Sequence, residues 1–518
     1  SCVIGIDIGT YASKGVIVQR DGTILASATT AHRLEIPRPG WAEHDAEHTW
    51  WRDTVYLVKT LLQQGRERHG LGPDDVKAVG FSTIAPAVVP IRRDGEPLRK
   101  AILYGVDTRA SEQIAELNAR IGEPHILRTS SHPLSSQSAG PKILWIKEHE
   151  PHVYNQTYKF LSGTGYLVFK LTGNDFMDYY TAAAFSPLFH MDKLTWHESY
   201  TEFVTDLDRL PQLAWSHEIV GEITQKAAAI TGLRAGTKVI NGTADALAES
   251  ISVGAVNEGD FMLMYGSSTF FIQVVDKQLY SDKFWPSIHA VPGWHTVTGG
   301  TSTAGSLTRW FVDQWVRRDH GTLTDAYQHL TRLASDESVP GSRGLIALPY
   351  FSGERTPIHD VTARGVFFGL TLRHTTADMY RAILEGVGYA IRHNMEELNK
   401  MGVKAHRVIA IGGGTKSSVW LQSVSNICRL QQLIPTMTFG ASYGDAFLAA
   451  LGLGWYAQLR EVSAWIDYET VIDPDEAVSD LFDAYFTLYK RLYHETKALM
   501  FQLKQLEERG VAMNGVHR

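Results

Sequence analysis

Cysteine is nearly missing from this 518-residue chain: only Cys2 and Cys428 occur, far apart and outside any CxxC or Cys/His ladder. That leaves neither a disulfide framework nor a structural zinc site, and a reducing cytoplasm is the expected compartment. Positive net charge is missing as well. With 49 Lys and Arg against 56 Asp and Glu the net charge is −7 and the pI is near 6.3, so the field that attracts phosphate backbones is lacking and nucleic acid is not an expected partner. Long hydrophobic runs are absent too: the small and apolar stretch 446–457 is too short to cross a bilayer, and the first residues show no basic or apolar leader, so no membrane association is expected. What remains is an ordinary globular composition, 44% hydrophobic and 20% charged, with length for about two to four domains.

Periodicity predicts an α/β chain. Residues 3–8, 15–18 and 24–30 read as a meander of strands joined by Gly9-Thr10-Tyr11 and by Asp21-Gly22. A helix is predicted over 45–62, a buried strand over 76–81 and part of a helix over 142–149. The strand–turn–strand pattern returns at 260–265, Gly266-Ser267-Ser268 and 270–275, which suggests two related halves with a break near 250–258. A last apolar strand, 408–411, breaks into Gly412-Gly413-Gly414, and a long helix is predicted over 480–509.

Several short constellations could carry chemistry. Asp7-Ile8-Gly9-Thr10 with Ser13 and Lys14 puts a carboxylate, a close-approach glycine, two hydroxyls and a cation into one tight turn. Those are parts for a metal-bound polyphosphate, or equally a hairpin whose polar groups satisfy its own backbone. Gly266-Ser267-Ser268-Thr269 offers amides and hydroxyls without charge. Gly412-Gly413-Gly414 would let a base or sugar lie against backbone, or serves only as a flexible helix entry. Asp245 reads either as a helix N-cap or as a general base at a strand mouth.

Other chemistries lose support by what is not there. No GxxxxGK[ST] occurs, and no GxGxxG follows a strand. Ser302 lacks the second glycine of a nucleophile elbow. His44-Asp45-Ala46-Glu47-His48 spells HxxEH, but Asp45 as a helix cap leaves His44 outside the helix that the zinc motif needs.

These motifs, taken in order with Gly40-Trp41-Ala42-Glu43-His44-Asp45, Lys142-Ile143-Leu144-Trp145, Gly353-Glu354-Arg355-Thr356-Pro357 and Gly365-Val366-Phe367-Phe368-Gly369-Leu370, resemble the FGGY family of carbohydrate kinases over roughly residues 3–460. Ala139 departs from the family's first signature, where Pro, Ser or Thr is usual. The resemblance implies two ribonuclease-H-like α/β domains of the actin/hexokinase superfamily, residues 1–253 and 254–518, with an ATP/sugar cleft between them. It implies Asp245 as catalytic base and sugar contact, and Mg²⁺ held through water by Asp7. Thr10, Ser13, Lys14, Gly266 and Ser267 would position the ATP phosphates, and Gly412, Gly413, Gly414 and Lys416 the adenosine end. It also implies a small sugar or polyol as partner and allows a homodimer.

Among family members the xylulose kinases are nearest by overall pattern. Where they carry a Gln-Met-His triplet this chain has Ile84-Ala85-Pro86, and Asp107 is the polar residue left as a sugar-hydroxyl acceptor, unless it merely pairs with Arg109. The expectation is a kinase for D-xylulose or a related pentulose. Ribulose, gluconate, erythritol or glycerol are the alternative acceptors, and a non-catalytic nucleotide-binding regulator is the alternative of a different class.

Overall fold

The computed structural model describes residues 1–316 and 321–516, which form two compact units. The first comprises Ser1–Asn257, Val274–Val297 and Met437–Asp467; the second comprises Glu258–Gln273, the described part of Thr298–Thr436, and the chain from Tyr468.

In the first unit the expected meander forms. Cys2–Ile8, Ala12–Gln19 and Ile24–Ala31 pair antiparallel in succession, and Val76–Thr83 then lies parallel to Cys2–Ile8. Lys238–Ile240 joins parallel beyond it and Ile219–Glu222 closes that edge antiparallel, while Thr243–Ala244 pairs with the far end of Val76–Thr83. The central strands are buried at nearly every position because both sheet faces are covered.

One face is covered by the helix Arg52–His69, which buries Thr54, Leu57, Val58 and Leu61 at helical spacing and stops at Gly70, whose φ is 66°. It begins later and ends later than 45–62. Asp45 does cap, accepting the His48 N–H at 2.8 Å, but the first turn, Ala46–Trp51, is a π-turn, and no stop signal precedes Gly70. The other face receives Ala441–Gly452. That helix lies almost on the strands: a Cβ on Gly5 would be 1.9 Å from the Ser442 carbonyl oxygen, and one on Gly80 2.6 Å from that of Asp445. Its own Gly444 approaches Ala248 of the helix Asp245–Ser252 just as closely. Glycine is the only residue that permits these approaches.

The second unit repeats the arrangement. Asp260–Tyr265 pairs antiparallel with Thr269–Val275 and parallel with Arg407–Ile411; Gln432–Pro435 follows parallel and Tyr468–Ile472 antiparallel. A core of Leu348, Tyr350, Tyr389, Ile427, Phe482, Phe486 and Tyr489 lies between Thr376–Lys400, Ser418–Cys428 and the C-terminal helix. That helix, Glu476–Val516, extends beyond the expected 480–509 at both ends. Among the described residues no helix is long and apolar enough to cross a membrane.

Candidate functional site

Sheet register builds the site in the first unit. Lys14, Asp7, Ser82 and Thr243 occupy paired positions on four adjacent strands, so their side chains stand in a row on the face that Ala441–Gly452 covers. The Ser82 hydroxyl lies 3.0 Å from Asp7 Oδ1 and 2.6 Å from Asp445 Oδ2. A hydroxyl has one proton, so when it donates to Asp7 its oxygen must accept one from Asp445. Burial drives the Asp445 carboxyl far above the usual carboxylate range, and the nearby Asp7 charge adds to this. Of the two carboxyls, Asp445 is the one pushed further toward its protonated form.

Asp245 opens the helix Asp245–Ser252, whose cap residue is Ala244; its Oδ1 accepts the adjacent Ala246 N–H at 2.8 Å. The approach to it is fixed from below. Gly242, at φ 77°, passes where a Cβ would lie 2.3 Å from the Phe81 carbonyl oxygen. Thr243 donates its hydroxyl to buried Asp178 at 2.7 Å, and its carbonyl accepts from Thr164 at 2.8 Å. Burial, then the Asp7 charge, pushes the Asp245 carboxyl well up. For the same two reasons Glu249, one turn along the helix, rises to about 7, while Asp7 itself rises to about 6 through burial, opposed by Ser82, Lys14 and His32. Two phenols, Tyr104 and Tyr180, lie within electrostatic reach of Asp245. Tyr104 also meets the Thr10 hydroxyl at 3.0 Å. Its backbone is held by Lys142, whose buried Nζ donates to the Leu103 and Tyr104 carbonyls at 2.6 and 2.9 Å and is pushed down to about 7 by that burial.

The remaining residues singled out in this unit take different places. Lys14 is exposed opposite Asp7 and Thr10 is half-exposed in the turn. Ser13 is one residue out of step, so it points to the opposite sheet face, is fully buried, and donates to Asp53 Oδ2 at 2.8 Å. Ile84 is buried in the core and Ala85 half-exposed. Asp107 is wholly buried in a forked pair with Arg109, at 2.7 Å to Nη2, and also accepts the Ala42 N–H at 2.8 Å. Arg109 in turn reaches Glu43 at 2.8 Å and lies against the Trp41 and Trp145 rings, 4.0 and 4.9 Å from their centroids.

His44 is not available to a metal: its Nε2 donates to the Thr10 carbonyl at 3.0 Å and its Nδ1 accepts from Trp50 at 3.1 Å. Among the described residues no group of three or more His, Cys, Asp or Glu side chains is arranged to hold a metal ion. The gathered carboxylates Asp7, Asp245, Glu249 and Asp445, with Asp445 Oδ1 buried and unpartnered, are nonetheless an acidic set that a cation would relieve. A magnesium ion that keeps most of its waters and takes one carboxylate fits such a donor set.

In the second unit the Gly266–Ser268 turn rests on the start of the helix Gly305–Trp315. The Ser267 carbonyl accepts from Ala304 and Ser306 N–H at 2.9 and 3.0 Å, and the Gly266 carbonyl from Gly305 at 2.9 Å. The Gly-Glu-Arg-Thr motif braces the neighbouring strand. Glu354 accepts the Ser302 N–H at 2.6 Å, Arg355 Nη2 donates to the Thr269 and Thr301 carbonyls at 2.9 and 2.8 Å, and the Thr356 hydroxyl both accepts from and donates to the Gly300 backbone. After Arg407–Ile411 the chain turns at Gly412, φ 96°, where a Cβ would be 2.6 Å from the Tyr265 carbonyl oxygen; a Cβ on Gly414 would meet Tyr265 and Trp420. Gly413 has open space where its Cβ would be, and Lys416 is exposed.

The sequence reading missed His32, Asp53, Ser82, Tyr104, Tyr180, Glu249 and Asp445. Glu249 was legible as the residue four after Asp245, and Asp445 as the lone carboxylate in an apolar helix.

Residues 2–252 match the model of the N-terminal domain of the FGGY family of carbohydrate kinases, and residues 261–453 that of its C-terminal domain. The xylulose kinase of Staphylococcus epidermidis is 30% identical over 504 residues, 97% of this chain and 98% of that protein. The gluconokinase of Bacillus subtilis is 26% identical over 488 residues, 93% of this chain and 90% of that one. The crystal structure of xylulose kinase from Rhodospirillum rubrum superposes with a TM-score of 0.89 at 28% identity, covering 97% of this chain and all of that one.

Proposed function

Because this chain belongs to the FGGY family of carbohydrate kinases, which transfer phosphate from ATP to a sugar, we propose that it phosphorylates a hydroxyl of a small ketose or polyol, D-xylulose or a related pentulose first. The observation that carries the reading is Asp245: a carboxylate at a helix start, within electrostatic reach of two phenols and of Asp7, which Lys14 faces across the sheet. A sugar hydroxyl is a weak nucleophile, and Asp245 orients it and accepts its proton as it attacks the γ-phosphorus, whose bond to the bridging oxygen of ADP breaks.

Thr10, Lys14 and the backbone of their turn hold the phosphates, with Ser13 supporting the turn from behind through Asp53. In the second unit Gly266 and Ser267 are the phosphate contacts, and the open backbone at Gly413, flanked by Gly412, Gly414 and Lys416, takes the adenosine end. Magnesium bound with the nucleotide, held through water by Asp7, would offset phosphate charge. Tyr104 and Tyr180 join Ala85 on the sugar, while Ile84 and Asp107 act through the fold, the latter by holding Arg109 and the Ala42 backbone. The unpaired cysteines, both pushed up by burial, fit a cytoplasmic enzyme, and the reading allows a homodimer.

The apolar Ile84-Ala85-Pro86 segment and the likeness to a gluconokinase favour a second reading, in which a sugar acid or another polyol replaces xylulose. Phosphorylation assays with MgATP over a panel of ketoses, polyols and sugar acids decide between them. Turnover of a pentulose at a kcat/KM above that of gluconate supports the first; no turnover of any acceptor would sink both.

A further inference from the structure

Behind the Gly9–Tyr11 turn two imidazoles lie edge to face, ring centroids 5.0 Å apart. His32 Nε2 is 2.8 Å from the Gly9 carbonyl oxygen, and His44 Nε2 is 3.0 Å from that of Thr10. Each ring is aimed by a second group. His32 Nδ1 lies 2.8 Å from Asp53 Oδ2, on a side chain almost fully buried in the helix Arg52–His69, and the same oxygen takes the Ser13 hydroxyl. His44 Nδ1 accepts the indole N–H of buried Trp50, which fixes its other nitrogen as the donor.

Consecutive carbonyls are thus drawn to the same side and tied there. The Gly9 N–H closes the turn onto the Ala12 carbonyl at 2.8 Å, and with the Gly9 and Thr10 oxygens held inward the remaining N–H groups of the turn are left for the outer side, the polarity an anion requires. The second unit reaches the same end by another route: the Gly266 and Ser267 carbonyls are tied by N–H groups at a helix start. Two turns of the same topology have their carbonyls satisfied from behind, one by side chains and one by backbone.

We propose that His32 and His44 are positioning residues that hold the first phosphate turn in its anion-binding form, with Asp53 and Trp50 orienting their rings. The proposal rests on the reading that this turn holds ATP phosphates. Neither imidazole touches substrate. Their effect passes through the Gly9 and Thr10 carbonyls.

Amide side chains separate the two ends of His32. In His32→Gln the amide nitrogen can occupy the place of Nε2 and still donate to Gly9, whereas in His32→Asn it can reach only the place of Nδ1, toward Asp53. Binding of the magnesium complex of the imido analogue of ATP, and of AMP as control, is measured by calorimetry on full-length protein. We expect His32→Asn to weaken the triphosphate analogue at least about tenfold and His32→Gln less than about threefold, with AMP nearly unchanged in both. Equal loss in both variants, no loss in either, or equal loss of AMP and triphosphate overturns the proposal. The same pair at His44 repeats the comparison on the Thr10 carbonyl, so that a folding failure at one histidine leaves the other to decide. Lys14→Ala and Thr10→Ala test the underlying reading: if both bind the analogue normally, that reading falls and the proposal with it. If they weaken it while His32→Asn and His44→Asn do not, the proposal alone falls.

Discussion

The carboxylates of Asp7 and Asp445 meet at one atom, the Ser82 hydroxyl oxygen, 3.0 Å from the first and 2.6 Å from the second. Two like charges so linked cannot both be present cheaply, and the stronger upward push on Asp445 favours a proton there and the charge on Asp7.

Asp445→Asn replaces that proton-bearing carboxyl by an amide that can donate to Ser82 in the same direction. The folded-state proton affinity of Asp445 is raised, so the native parent binds a proton that the unfolded chain has released. Its stability therefore falls as pH rises above the ordinary aspartate value. Urea denaturation of Asp445→Asn at several pH values should show a flatter decline and, at neutral pH, equal or greater stability. A variant less stable than the parent and equally pH-sensitive would place the proton elsewhere.

Asp245→Ala removes the proposed base without touching the turns. Turnover should drop at least about 10²-fold while affinity for the nucleotide stays within about threefold, as steady-state kinetics and calorimetry together would reveal. Unchanged turnover would return Asp245 to a structural role at its helix start.

Asp107→Ala should act on stability first. Arg109, with its side chain fully buried, would keep only Glu43 and two aromatic faces, and stranding a buried charge costs about 3–5 kcal/mol. Chemical denaturation measures that loss directly. A change confined to the sugar KM, at parental stability, would make Asp107 a substrate contact instead.

Gly412→Ala and Gly413→Ala should part company. At Gly412 the left-handed backbone and the Tyr265 carbonyl oxygen exclude a Cβ, so the variant should melt well below the parent. At Gly413 a methyl group meets no protein atom within 4 Å. That variant should melt near the parent yet bind ATP more weakly, because its methyl enters the space proposed for the nucleotide. Parental affinity in Gly413→Ala would remove this segment from the nucleotide site.

Much of the framework was readable because it is local. Apolar runs broken by Gly9-Thr10-Tyr11 and Gly266-Ser267-Ser268 specify hairpins, and both turns fall where the pattern puts them. What failed to show was which way each side chain points. Ser13 and Lys14 look alike as phosphate ligands in a string of letters, but alternation along Ala12–Gln19 sends Ser13 to the helix Arg52–His69 and Lys14 to the opposite face. Nothing near Asp107 and Arg109 in the sequence announces that the pair is buried or that the Trp41 and Trp145 rings meet Arg109. Asp445 and His32 come to the site through packing and sheet register, and no sequence spacing encodes either.

The chain passes between its two compact units five times before it ends. A ribosome that has completed residue 257 has made the strands that carry Asp7 and Ser82 but not the helix Ala441–Gly452 that lies against Gly5 and Gly80. Until that late segment emerges, the sheet face that carries Gly5, Asp7, Gly80 and Ser82 lacks its cover, and Ser82 has no Asp445 to meet. Synthesis order and assembly order therefore differ in this protein, and a fragment ending near residue 253 would leave the ribosome without one of its own walls.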